Sequence, residues 1–139
     1  MRRVLVAAVC AGLAACGDPS PELPALDDDP RMGVEGTWAG AVEEDGRAYD
    51  LVLTLDRLDP GEAAGTTVYA GDLACAGTLT FEGVDRRVLA FRQALDGSPD
   101  CPGGGRVDVR LRSDGRLGWL WTRADGDVVP DARATLDRR

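Results

Sequence analysis

The chain has 139 residues, including 18 glycines and 5% aromatic residues, and its 16 basic and 24 acidic residues give a net charge of −8. This length predicts one domain with one small core, and the glycine content favours turns over long helices. Histidine and lysine are absent and only three serines occur, which excludes most nucleophilic, Schiff-base and His-ligated metal chemistry. We therefore expect a protein without catalytic residues, cofactor or metal.

The N-terminal segment has the pattern of a secretion signal. Arg2 and Arg3 precede an apolar run, residues 4–15, that is too short to cross a bilayer as a helix. The run ends in LAACG, residues 13–17, which resembles the lipobox of bacterial lipoproteins. The resemblance implies a signal peptide over residues 1–15 and a Cys16 that is diacylated and becomes the first mature residue. An ordinary small-residue cleavage site with a chance cysteine is the alternative.

A lipidated Cys16 would anchor the protein to the membrane. Two acyl chains contribute about 0.8 kcal/mol per buried methylene, so the chain would be held permanently at the surface without spanning it. We expect a location on the extracytoplasmic face of the cell membrane.

Residues 16–33 form a predicted acidic tether. They hold four prolines and the run Asp27, Asp28 and Asp29, a composition typical of an extended linker. A calcium site in the aspartate run is the alternative, but the spaced ligands and the glycine of a binding loop are missing. Without Arg2 and Arg3 the chain has 14 basic and 24 acidic residues, a net charge of −10 that would repel nucleic acid.

Residues 34–139 alternate apolar and polar side chains with the period of β-strands. The third strand, near residues 66–69, is short and ambiguous. Four Asp-Gly pairs, at 45–46, 96–97, 114–115 and 125–126, predict hairpin turns. The positions predicted to share one face are Trp38, Gly40, Val42, Tyr49, Leu51, Leu53, Leu55, Leu79, Phe81, Leu89, Phe91, Val107, Val109, Leu111, Leu117, Trp119, Trp121, Ala134 and Leu136.

This pattern predicts an all-β fold, a small antiparallel up-and-down barrel of about eight strands. Short connections exclude parallel crossovers, and closure removes the exposed edges of a sheet. A flattened β-sandwich is the alternative. Eight short strands enclose just enough space for side chains, so a packed core is favoured over a deep cavity.

Two of the four cysteines are predicted to form a disulfide. Cys10 would be lost with the signal and Cys16 would carry lipid, which leaves Cys75 and Cys101 in an oxidising compartment. Their disulfide would close a loop of about 27 residues. Free thiols and a metal site are the alternatives, and two sulfurs without histidine make a poor zinc site.

The opening motif of the domain, GTWAG at residues 36–40, resembles the Gly-x-Trp start of lipocalins. In that family the tryptophan closes the barrel floor and an arginine near the last strand stacks on it. The resemblance implies a floor pair of Trp38 and Arg138, with a cation–π contact between them. The domain is shorter than a lipocalin and lacks the C-terminal helix of that family.

A second resemblance covers nearly the whole domain. The order of GTWAG, LVLTL at 51–55, CAGTL at 75–79, Cys101 before a glycine-rich turn, and ATL at 134–136 is similar to a small extracytoplasmic β-domain. That domain occurs at the C-terminus of actinobacterial serine/threonine kinases and in stand-alone lipoproteins. It implies a sensing or interaction module in the cell envelope, and this chain has no kinase domain.

Small disulfide-stapled barrels that inhibit metalloproteases are a third resemblance. Those inhibitors insert a free N-terminal segment into the protease, which a lipidated Cys16 would prevent.

Candidate contact residues lie in two places. Trp119 and Trp121 share a strand face and either stack a sugar or acyl chain at the barrel mouth or belong to the core. The loop 97–105, predicted as the longest connection, carries Asp100 and Pro102, where a partner would bind.

The sequence therefore predicts a non-catalytic envelope lipoprotein that binds an unidentified envelope protein or small ligand. Its alternatives are an enzyme, a protease-inhibitor-like barrel and a carrier of a small hydrophobic ligand. An interior filled by Trp119, Trp121 and Leu53 would exclude the carrier.

Overall fold

The structure, a computed structural model, describes residues 29–97, 99–126 and 129–139. The predicted signal peptide, Cys16 and the tether up to residue 28 lie outside the described residues. In the described ranges there are eight strands, and no helix long and apolar enough to cross a membrane occurs among them. The strands are β1 (Gly36–Glu44), β2 (Arg47–Leu55), β3 (Ala63–Gly71), β4 (Cys75–Asp85), β5 (Val88–Gly97), β6 (Gly104–Leu111), β7 (Leu117–Arg123) and β8 (Ala132–Arg138).

The eight strands form a closed antiparallel barrel. Each strand pairs with the next in the chain, and β8 pairs with β1 in the register Trp38↔Arg138 to Glu44↔Ala132. The predicted barrel is confirmed, and the sandwich alternative is not adopted. Closure pairs the outer edges of β1 and β8, which would otherwise expose unpaired backbone groups to solvent.

Inward and outward positions alternate as the sequence predicts. The inward side chains form one core whose largest fully buried members are Trp38, Trp119, Phe81, Phe91, Leu51, Leu53, Leu55, Leu79, Leu89, Leu117, Leu136 and Val34. These side chains occupy much of the space that the eight strands enclose.

Strand β3 is longer than predicted, because it begins at Ala63 and ends at Gly71. Its pairing with β4 shifts register between Ala63 and Gly65. Such a bulge adds a residue and interrupts the alternation of inward and outward side chains, so the sequence pattern does not reveal the start of the strand at residues 63–65.

Three Asp-Gly pairs, at 45–46, 114–115 and 125–126, lie in turns or bends. The prediction for the fourth is wrong, because Asp96 and Gly97 end strand β5 and pair with Ala76 and Cys75. The β4–β5 turn contains no Asp-Gly pair. It consists of Arg86 and Arg87, whose φ angles are +47° and +69°. Arginine is not typical of turns with positive φ, so the sequence does not predict this turn.

The β5–β6 loop spans residues 98–103, because Gly104 and Gly105 belong to β6. The longest connection is therefore residues 124–131, between β7 and β8, and not the predicted loop.

The two ends of the barrel differ in what they carry. We call the end with the β2–β3, β4–β5 and β6–β7 connections the floor, and the other end the mouth. Residues 29–35 precede β1 and so lie at the floor, as does the C-terminus after β8. Any tether thus joins the barrel at the end opposite the mouth.

Candidate functional site

Trp38 and Arg138 close the floor. The Trp38 side chain is fully buried, and its Nε1 donates a hydrogen bond of 2.8 Å to the Val34 carbonyl. The Arg138 guanidinium carbon lies 4.5 Å from the centroid of the Trp38 ring. The same guanidinium donates to the carbonyls of Glu35, at 3.0 Å, and Gly33. The floor is therefore a closed structural plug that also holds the entering chain.

At the mouth, the predicted disulfide between Cys75 and Cys101 is confirmed, with 6.0 Å between the two Cα atoms. Cys75 begins β4, and Cys101 lies in the β5–β6 loop. The bond attaches this loop to the barrel wall. The loop residues Asp100 and Pro102 are held at the mouth as a result.

A pocket of about 290 Å³ opens at the mouth. It brings together all four residues that the sequence singled out as contacts, Trp119, Trp121, Asp100 and Pro102. The rest of its lining comes from the mouth ends of other strands and their connections, namely Glu44, Asp45, Arg47, Tyr49, Tyr69, Leu73, Leu95 and Arg123.

Four aromatic rings form the inner wall of this mouth pocket. The centroids of Tyr49 and Tyr69 are 5.9 Å apart in an edge-to-face arrangement, and those of Tyr69 and Trp119 are 6.3 Å apart. Trp119 and Trp121 are 1% and 4% exposed, so they belong to the core and also line the pocket.

Leu53, Trp119 and Trp121 are all among the buried core residues. A filled interior of this kind argues against a carrier of a small hydrophobic ligand.

A polar cluster that the sequence interpretation missed lies inside the barrel near the mouth. Gln93 and Thr67 are 2% and 1% exposed, the only buried polar residues in the described ranges. Gln93 Nε2 donates to Thr67 Oγ1 at 2.7 Å and to the Tyr69 hydroxyl at 2.8 Å. The signal for Gln93 was present, since it shares strand parity with the inward Leu89 and Phe91.

Three buried polar atoms near the mouth have no hydrogen-bond partner within the described part of the chain. They are Gln93 Oε1, Trp119 Nε1 and Trp121 Nε1. Buried polar atoms in folded proteins are nearly always paired, so each of these atoms needs an explanation.

Two inward-facing glycines make room for these groups. A Cβ on Gly77 would lie 2.5 Å from Thr67 Oγ1, and a Cβ on Gly105 would lie 2.8 Å from Trp121 Nε1. Gly105 pairs with Gln93 on the neighbouring strand. The indole nitrogen of Trp121 therefore lies over bare backbone next to Gln93.

Both phenols of the pocket are neutral at physiological pH. Burial raises the pKa of Tyr69 to about 12, against the opposing effect of its hydrogen bonds with Gln93 and Thr67. Burial, together with a 2.9 Å hydrogen bond to the Glu44 carboxylate, raises the pKa of Tyr49 above its usual range.

The rim of the mouth pocket carries charges of both signs. Its acids are Glu44, Asp45 and Asp100, and its bases are Arg47 and Arg123. A polar ligand would therefore find both hydrogen-bond donors and acceptors where the pocket meets solvent.

The described ranges contain no cluster of three His, Cys, Asp or Glu side chains that could hold a metal ion. The mouth pocket offers a ligand hydrogen-bonding groups, charged side chains and aromatic rings. Comparison of the chain with models of protein families, with curated proteins and with solved structures finds no match.

Proposed function

We propose that the protein is a cell-envelope lipoprotein held on the extracytoplasmic face of the membrane by lipid on Cys16. Its barrel is a non-catalytic binding or sensing module whose contact site is the mouth pocket. The observation that carries this proposal is the position of that pocket, at the opposite end of the barrel from the entering chain.

The geometry favours a mouth that faces away from the membrane. Strand β1 has nine residues, which at a rise of about 3.3 Å and a tilt of about 40° place the mouth roughly 20 Å above the floor. Residues 30–34 form a turn at the floor, so an extended tether of residues 17–28 would add at most about 40 Å. A lipid anchor would thus present the mouth pocket to the envelope space.

The composition of the pocket supports binding rather than catalysis. Its lining has no serine, histidine, lysine or free cysteine to act as a nucleophile or base. Of its acids, Asp45 and Asp100 are exposed at the rim, and Glu44 accepts a hydrogen bond from the Tyr49 hydroxyl. Glycoside hydrolysis needs two carboxyl groups across a cleft, with burial raising the pKa of one of them.

The anchor is tested by expressing the full chain in a bacterium with lipoprotein processing enzymes. We expect it to fractionate with membranes and to gain the mass of a diacylglyceryl group at Cys16, and globomycin should block its cleavage. Cys16→Ala should abolish the membrane fractionation and the mass gain, whereas the matched control Cys10→Ala should leave both unchanged. A wild-type chain that is found in the soluble fraction without the added mass would contradict the anchor.

The contact site is tested by photo-crosslinking in intact envelopes. One probe replaces Asp100 at the mouth, and a matched probe replaces Arg112, which is exposed in the β6–β7 connection at the floor. We expect a discrete adduct from the mouth probe alone. Adducts from the floor probe alone would place the contact surface elsewhere.

A further inference from the structure

We propose that one corner of the barrel floor docks on the surface of an anionic phospholipid bilayer. This basic corner consists of residues 29–32, 85–87 and 110–116, which belong to the entering segment and to the floor ends of β4, β5, β6 and their turns. The inference rests on the proposed lipid anchor, and it names the surface of the barrel that contacts the membrane.

A cleft of about 440 Å³ joins the parts of the basic corner. Its lining brings Met32 of the entering segment next to Arg87, Arg110 and Arg112. All three arginines are exposed to solvent. Side chains that are far apart in the sequence therefore form one continuous surface beside the point where the chain enters the barrel.

The basic corner has a net positive charge. It holds six arginines and three aspartates, a net charge of +3. Two of these aspartates, Asp29 and Asp114, accept hydrogen bonds from neighbouring arginines at 2.7 and 2.8 Å, respectively. The guanidinium of Arg110 has no ion pair among the described residues. The corner therefore presents an excess of guanidinium groups to solvent.

The mouth carries the opposite charge. The described parts of its four connections, residues 44–47, 71–75, 96–103 and 123–131, hold seven acids and two arginines, a net charge of −5. An anionic bilayer attracts arginines and repels carboxylates within about one Debye length, roughly 8 to 10 Å, of its surface. The charges of the barrel therefore turn the basic corner towards such a bilayer and the mouth away from it.

The rest of the floor does not share this charge. The β2–β3 connection, residues 56–62, holds three acids and one arginine. An anionic bilayer would repel this side of the floor and attract the basic corner. The docked barrel should therefore stand on the corner, with its axis tilted from the membrane normal.

Exposed apolar side chains accompany the arginines. Met32 is 63% exposed, and Val84, directly before the basic corner on β4, is 43% exposed. An acidic protein or a soluble polyanion would pair with the arginines and leave these two side chains in water. A bilayer accepts apolar side chains among its head groups and acyl chains as well as arginines beside its phosphates. The combination therefore favours an anionic bilayer as the partner.

Arg86 and Arg87 form a turn that other residue types adopt more easily. Their φ angles, +47° and +69°, lie in the region where glycine and asparagine are the usual residues. The Arg86 side chain is 94% exposed, and its ion pair with Asp85 is long, at 4.0 Å. Packing thus gives no reason for an arginine at this position, whereas contact with an anionic surface does.

The acidic tether does not select the face that meets the membrane. It carries acids at positions 18, 22, 27 and 28. Lipid on Cys16 would keep these acids close to the bilayer whichever face the barrel turns towards it. The orientation therefore depends on the charges of the barrel itself.

The experiment reconstitutes the full, lipid-bearing chain on vesicles and measures which end of the barrel meets the bilayer. An environment-sensitive fluorescent amino acid replaces Met32, and a matched probe replaces Val129, which is 70% exposed at the mouth. The vesicles contain lipids with brominated acyl chains, which quench a fluorophore that contacts them. They consist of phosphatidylcholine alone or of an equal mixture with anionic phosphatidylglycerol.

We expect the probe at position 32 to be quenched on the phosphatidylglycerol vesicles and much less on phosphatidylcholine alone, while the probe at position 129 stays unquenched on both. Salt at about 1 M, where the Debye length is about 3 Å, should release the probe at position 32. Equal quenching of the two probes, or quenching at position 32 that does not depend on phosphatidylglycerol, overturns the proposal.

Substitutions test the arginines. Arg110→Gln/Arg112→Gln should lower the ratio of docked to undocked barrel by roughly thirtyfold, at roughly fivefold for each arginine. Arg92→Gln/Arg133→Gln removes the same charge from exposed positions on the barrel wall and should leave the quenching unchanged. Near-ultraviolet circular dichroism of the packed tryptophans shows that each variant is folded. Equal losses of quenching in the two folded variants overturn the role of the basic corner.

Further outcomes separate this inference from the proposed function. A chain that floats with the vesicles but leaves the probe at position 32 unquenched would overturn the docking and leave the lipid anchor standing. A chain that floats with neither vesicle would refute the anchor, and the inference with it. Quenching that appears only after Asp27→Asn/Asp28→Asn would show that the tether's own acids cover the basic corner, which would overturn docking by the unaltered protein.

Discussion

Removal of the Cys75–Cys101 disulfide should lower the free energy of unfolding by about 3.5 kcal/mol. The two cysteines are 26 positions apart, so the bond closes a loop of 27 residues. In the chain-entropy model, releasing such a loop returns about 12 cal/mol/K to the unfolded chain, which is about 3.5 kcal/mol at 25 °C. For a domain of this size the melting temperature should fall by about 15 to 25 °C.

The assay compares urea unfolding of the wild-type chain with that of the Cys75→Ala/Cys101→Ala double variant, followed by tryptophan fluorescence. The wild-type chain under reducing conditions is the matched control, because it loses the cross-link and keeps both sulfurs. We expect the reduced wild type and the double variant to lose the same stability. A loss below about 1 kcal/mol in both would refute the loop-closure reasoning. A large loss in the double variant alone would assign the effect to packing of the buried Cys75.

Three further perturbations test the barrel wall, the floor and the mouth. Gly105→Ala places a Cβ 2.4 Å from the Thr122 carbonyl oxygen and should lower the free energy of unfolding, measured by chemical denaturation, by about 1 to 3 kcal/mol. Gly118→Ala, whose Cβ would lie 3.6 Å from its nearest atom, is the control and should leave the stability nearly unchanged. Equal losses of stability in the two variants would contradict the packing argument. Arg138→Met removes the cation–π contact at the floor and should lower the unfolding free energy by about 1 kcal/mol or more, and an unchanged denaturation midpoint would show that the contact contributes nothing. Burial raises the pKa of Tyr69 to about 12 from its usual value near 10. Ionisation of this phenol should therefore lower the free energy of unfolding by about 2 to 3 kcal/mol as the pH rises from 10 towards 12, with no loss below pH 10. Phenolate absorbance should therefore rise near pH 10 in denaturant but only at higher pH in the folded chain, and identical titrations would refute the burial of the phenol.

The alternation of side chains explains why the fold was predictable. In β6, Val107 and Val109 face inward between Arg106, Asp108 and Arg110, and the period of two is visible without any knowledge of the partner strands. Local chemistry also placed three of the four Asp-Gly turns. It misplaced the fourth, because hydrogen bonding of Gly97 to the start of β4 extends β5 beyond the turn signal.

The contact residues were predictable one at a time but not as a site. The interpretation placed Trp119 and Trp121 on one strand face and Asp100 and Pro102 on a loop, without a relation between the two sets. The relation comes from barrel closure and from the disulfide, which together put the loop beside the end of β7. Gln93 had an inward parity, yet nothing in its neighbourhood along the chain shows that its amide would meet Thr67 and Tyr69.

The amino-acid sequence predicts about eight strands, the inward face of seven of them, a disulfide between Cys75 and Cys101 and a barrel, with a sandwich, free thiols and a metal site as open alternatives. These predictions come from short-range periodicity and from residue counts. The folded barrel adds a pocket at the mouth and leaves two indole N–H groups and one amide oxygen unpaired in this part of the molecule. These features could not be predicted, because hydrogen bonding there depends on side chains from β3, β5 and β7 that meet inside a closed barrel, where strand register sets the distances.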